Sequence, residues 1–217
     1  AALSNSQLAA MDLADFSSIN SQAIAGLSTS QVASLSDTQI AALKTAQVVG
    51  LTSDQVSALT VTQVAALTTA QASRLTSSQV ASLTTAQLAA METADLSSLT
   101  TASMAALSST QFAALSADQV AALRTSQFSA LNTGIISGLT TTQVVGLTSS
   151  QAAALTSAQA AVLSTAQVAA LEAGDFAKLS TAAVSSLTSD QLAALTNDQL
   201  GAMTSTVSAT SATEIDT

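Results

Sequence analysis

An eight-residue period constrains this chain more than any other feature. From Leu3 to Ala202 the sequence reads as twenty-five octads without one insertion or deletion. Position 1 is Leu in 22 of them, with Met11, Ile19 and Met91 as the exceptions. Position 6 is apolar in all 25 and holds every Phe: Phe16, Phe112, Phe128 and Phe176. Position 5 is Gln in 18 octads, and position 2 is Ser, Thr, Asp or Asn in 21. Repetition of this fidelity belongs to a repeat architecture. It leaves no room for a domain boundary or linker before about residue 203.

A single long helix cannot use such a period. An α-helix advances about 100° per residue, so eight residues overshoot two turns by about 80°. The Leu stripe would wind around the helix and never form a seam. Supercoiling does not rescue it, because coiled coils use repeats of about 3.5 or 3.67 residues per turn and an octad would need about 4.0. The helix must therefore break once in every octad.

The break is visible as a capping box, in which a Ser or Thr hydroxyl accepts from the N3 amide and Gln reaches back to the N-cap amide. It recurs as Thr84-Thr85-Ala86-Gln87, Thr140-Thr141-Thr142-Gln143 and Ser164-Thr165-Ala166-Gln167. Asp54, Asp118, Asp190 and Asp198 fall at N2, where an anion meets the positive end of the helix. The pattern predicts an all-α solenoid of about 25 short capped helices, one per octapeptide, with positions 1 and 6 turned inward. Small residues at positions 7 and 8 would let coils approach closely. A β-solenoid is the alternative, since the period is even and Thr and Val favour strands. Against it, positions 1 and 6 would face opposite sides of a strand, and Ala and Gln are helix formers. Two buried apolar side chains do not offset the cost of ordering eight residues, so no octad folds alone. Stability must come from stacking.

A longer period is superimposed. Asp12, Glu92 and Glu172 stand 80 residues apart, as do Asp15, Asp95 and Asp175, the Gln-less sites Ala23, Ser103 and Ala183, and the small core residues Ala72 and Ala152. The expected organisation is a repeat solenoid over 1–202 with an 80-residue super-repeat, followed by an irregular tail over 203–217.

Composition removes most chemistry. Histidine, cysteine, proline, tryptophan and tyrosine are absent. No Ser-His-Asp or Cys-His pair can form, and no imidazole or thiolate can hold zinc or iron. The expectation is that the chain is not an enzyme and needs no cofactor. Four basic residues against thirteen acidic leave a net charge of −9, which repels nucleic acid. A mean hydropathy of +0.47 argues against disorder. Residues 125–171 carry no charge, yet Gln, Ser and Thr recur through them too regularly for a membrane span. The chain begins with Ala1, as expected of a processed chain or a segment of a longer one.

The best candidate site is the acidic pair Asp12/Asp15, repeated as Glu92/Asp95 and Glu172/Asp175. Two carboxylates three residues apart on a helical turn could give oxygens to calcium. The favoured role is capping, with Asp15, Asp95 and Asp175 standing in for Gln. A regular Ser/Thr array could order water, as in ice-binding solenoids, although position 2 is occupied by capping. Both ends point to assembly. Solenoids that remain single need polar caps, whereas octad chemistry starts here at Leu3 and fades only after Met203. The expected partner is a copy of the same chain, stacked head-to-tail in a contact that does not close.

The units LTTAQLAA at Leu83–Ala90 and LSTAQVAA at Leu163–Ala170 resemble the tandem octapeptides of large bacterial surface and secreted repeat proteins. They are also similar to the L-T-P-E-Q unit of some superhelical repeat proteins, from which this chain departs in having no Pro. The resemblance implies a bacterial, extracellular or cell-surface protein. It would serve as the subunit of a filament or fibre, or as the spacer or stalk of an adhesin, with an ice- or calcium-binding module as the other class. It carries over no functional residue.

Overall fold

The computed structural model describes residues 3–203 of the 217. Among them are twenty-four helices of four to six residues, from Asn5–Ala9 to Ser189–Ala193, and residues 197–203 are helical as well. No strand occurs among the described residues, so the α-solenoid expectation holds and the β alternative does not. The tail expected over 203–217 lies outside the described residues beyond Met203, which itself is helical.

Each octad is built alike. The position 1 amide donates to the carbonyl of position 6 behind it, as Leu59 does to Val56 at 3.2 Å, and this ends the helix. Two extended residues then make the corner: Leu51 has φ −63° and ψ 138°, and the N-cap Thr52 has φ −74° and ψ 160°. No described residue has a positive φ. Corners of this kind ask nothing of Gly or Pro, which is why the chain can lack Pro and still turn so often. Capping boxes close at most N-termini, as at Ser28/Gln31, Thr84/Gln87 and Ser164/Gln167. At Lys44 and Arg124 only the return half exists, because a cationic side chain offers no acceptor.

The described residues fall into two compact units, residues 3–115 and residues 116–203. In each, a helix packs against the helix three further on. In the first unit this runs from Asn5–Ala9 on Thr29–Ala33 to Thr85–Ala90 on Ser109–Ala113. In the second it runs from Ala117–Ala121 on Thr141–Val145 to Thr165–Ala170 on Ser189–Ala193. Side-chain bonds between successive turns span 25 to 31 residues, so one turn takes between three and four octads. The core holds position 6 side chains with almost no exposure (Phe16, Val64, Phe112 and Phe128 at 0%) and, behind them, the Leu of position 1.

Small residues at position 8 set how closely turns approach. A Cβ on Gly50 would lie 2.9 Å from Ser21 Cβ and 3.0 Å from the Ser21 carbonyl oxygen, which is closer than packed atoms tolerate. Ser98 and Ser186, at the same position, donate to the carbonyls of Thr69 and Ser157 in the turn behind. Gly50→Ala is therefore expected to cost about 1–3 kcal/mol by forcing two turns apart. Gly174→Ala, inside the helix Ala173–Phe176 with nothing within 4 Å of the new Cβ, is expected to gain about 0.5–1 kcal/mol. Denaturant unfolding of both variants checks the pair, and equal shifts would contradict the contact.

Candidate functional site

The recurring Gln joins successive turns as well as capping its own helix. Gln63 is the pattern case. Its Oε1 accepts from the Thr60 amide at 2.8 Å, and its own amide donates to Thr60 Oγ1 at 3.1 Å. Its Nε2 donates backward to the carbonyls of Leu35 at 2.6 Å and Val32 at 3.1 Å. These acceptors lie where one helix of the preceding turn ends and the next begins. The same reach to positions 28 and 31 residues back occurs at Gln55, Gln71, Gln79 and Gln87. In the second unit it recurs at Gln151, Gln159, Gln167, Gln191 and Gln199. The position 1 carbonyl, which has no other partner, is thereby satisfied in the interior, and the position 6 carbonyl gains a second donor.

This ladder gives every turn a direction. Positions 1 and 5 look back to the turn behind, whereas position 6 is covered by the turn ahead. The outermost turns reveal it. In the first turn Leu3 is 44% exposed and Gln7 is exposed, while Leu8, Phe16 and Ile24 are buried. At the other end Gln191 and Gln199 are buried, while Leu192 and Leu200 are 44% and 46% exposed. Among the described residues the first and last turns thus expose opposite positions, 1 and 5 in the first and 6 in the last.

The structure does not gather the six acidic candidates into a common site. Among the described residues no group of three or more acidic side chains comes together, so the candidates stand as separate pairs along the chain. Asp12 caps its helix by accepting from the Ala14 amide at 2.8 Å, and Glu92 and Glu172 are exposed N-cap residues without a side-chain cap bond. No capping box forms at Asp15, Asp95 or Asp175, contrary to the role expected for them. Their shorter side chains accept elsewhere or stay in solvent. Asp15 is exposed, in the first turn. Asp95 and Asp175 are buried and accept from hydroxyls of the turn behind, Thr69 and Ser149. Burial pushes the Asp95 carboxyl above its usual pKa, the Glu92 charge adds to this, and the Thr69 hydroxyl opposes it.

Position 2 hydroxyls are engaged as caps, while the position 3 residues Thr85, Thr141 and Thr165 are exposed. A shallow depression of about 320 Å³, lined by Thr45, Ala46, Val49 and Arg74, holds one charged group. No helix among the described residues is long and apolar enough to cross a membrane.

The ALTTAQ repeat family matches residues 8–45, 39–69, 88–125, 120–157 and 168–205, which is most of the chain. The chain belongs to the ALTTAQ repeat family. The signature itself stands at residues 66–71, from Ala66 to Gln71, and ends on a ladder Gln. ALTTAQ windows starting at 8, 88 and 168 fall in step with the 80-residue super-repeat. No curated protein and no solved structure matches the chain.

The backward reach of Gln is what sequence reasoning missed. Its signal was present in the choice of residue. A capping box accepts Glu as readily as Gln, yet position 5 holds Gln in 18 octads and Glu in none. Only Gln combines the acceptor that the box needs with an N–H donor for something else.

Proposed function

We propose that this ALTTAQ-repeat protein is structural: a subunit that stacks head-to-tail on copies of itself to form an extracellular or cell-surface fibre. The supporting observation is the opposite character of the first and last described turns. The first presents Leu3 and Gln7, whose capping box is complete and whose Nε2 bonds no carbonyl among the described residues. The last described turn presents Leu192 and Leu200, the side-chain position that every inner turn covers with the next. Stacking the first face of one copy on the last face of another repeats an interface the chain already makes many times within itself. Such a heterologous contact propagates without closing. The resemblance to bacterial surface and secreted repeat proteins supports the location.

Electron microscopy of the purified chain over a concentration series tests the reading. Fibres that lengthen with concentration are expected, and Leu200→Glu is expected to abolish them while leaving helical content unchanged. Discrete particles at every concentration would overturn self-assembly. The same turns would then serve as a spacer within a larger protein.

A further inference from the structure

The Asp rungs differ from the Gln rungs in a way that matters for pH. At Gln47, Gln55, Gln63, Gln71, Gln79 and Gln87 the position 1 carbonyl 28 residues behind receives an amide N–H, whereas Gln39 reaches only the Leu8 carbonyl. Asp95 and Asp175 occupy the same rung, opposite the carbonyls of Leu67 and Leu147. Among the described residues no hydrogen bond reaches either carbonyl, although both leucines are buried. Reach is not the obstacle. Ser103, with a shorter side chain at position 5, donates to the Leu75 carbonyl at 3.1 Å across the same 28 residues. An ionised carboxylate cannot donate at all, whereas a protonated one carries an O–H of the required kind.

We propose that Asp95 is an acid-responsive rung, which on protonation donates to the Leu67 carbonyl and pairs an acceptor that the ionised side chain leaves open. Its hydroxyl partner, Thr69, stays on the other oxygen. The surroundings contain little that would hold the charge. The helix Thr93–Ser98 packs on Thr69–Ala72, and neither that helix nor the flanking Thr85–Ala90 and Thr101–Ala105 carries a charged residue. Glu92 stands on the same turn, Arg74 follows Thr69–Ala72, and Asp118 lies on the helix three further along the chain. Burial raises the Asp95 pKa in the folded chain. A carboxyl so shifted contributes stability below its unfolded pKa, and loses that contribution as pH rises through the folded value.

The test compares the wild type with Asp95→Asn by thermal unfolding from pH 4 to pH 8. Asn carries a permanent N–H donor, so the variant mimics the protonated rung. Since the whole chain loses negative charge on acidification, the informative quantity is the difference between variant and wild type. At pH 7 Asp95→Asn is expected to melt about 2–4 °C higher, an unfolding constant about three- to tenfold lower. The difference should vanish towards pH 4. Asp54→Asn, at an N2 position, serves as the control and should show no such gain at neutral pH. A difference between variant and wild type that stays constant with pH would overturn the proposal. So would an Asn variant less stable than the wild type at pH 7.

Discussion

Gln63→Glu is expected to destabilise the first unit by about 2–4 kcal/mol at neutral pH, although the substitution leaves every expectation of the capping box intact. Glu can accept from the Thr60 amide as Gln does. What it loses is the Nε2 donor to the Leu35 and Val32 carbonyls of the preceding turn. Val32 O retains the Leu35 amide, but Leu35 O is left unpaired and buried, a loss of about 1–3 kcal/mol. The carboxylate itself enters a site where the Gln side chain is 1% exposed and meets carbonyl oxygens, which raises the cost further. The control is Gln7→Glu. Gln7 has the same capping box but its Nε2 bonds no other turn among the described residues, and its substitution should fall within about 0.5 kcal/mol of the wild type. Chemical denaturation of the two variants measures both values. Equal effects would mean that Gln acts only as a cap and that the ladder contributes nothing.

Phe128→Ala is expected to cost about 3–5 kcal/mol in the second unit. Phe128 is completely buried at position 6 of its octad, on the helix Thr125–Ser129. That helix packs on Ser149–Ala153, which packs in turn on Ala173–Phe176. The position 6 residues of the three are Phe128, Ala152 and Phe176, all essentially inaccessible, so large, small and large side chains alternate along the stack. Ala152 is itself 0% exposed, so a larger side chain there has no solvent to expand into. Ala152→Leu should therefore destabilise by about 1–3 kcal/mol through overpacking. Combined with Phe128→Ala, it should recover part of the loss, because the added branches fill the cavity. A double-mutant cycle reads this coupling, expected at about 0.5–3 kcal/mol. Strict additivity would show that the two positions do not share one core layer.

The expected results separate what the octad pattern carries from what it does not. One helix per eight residues, the capped N-termini and the inward faces at positions 1 and 6 all follow from local geometry, because each depends on residues within a few places of one another. Thr52, Gln55, Val56 and Leu59 are enough to place one helix and its corner. Tertiary structure decided the rest. That a turn takes between three and four octads, and that position 5 looks backward, depend on contacts 25 to 31 residues apart, which an almost identical repeat cannot encode by variation. The buried Asp95 makes the point most clearly. In sequence it is a capping substitute paired with Glu92, as Asp15 is with Asp12. In the fold Asp15 lies in the first turn and remains in solvent, while Asp95 lies against Thr69 and loses its hydration. Identical octad positions thus acquire different chemistry from their place in the stack, because burial belongs to the neighbouring turn and not to the octad.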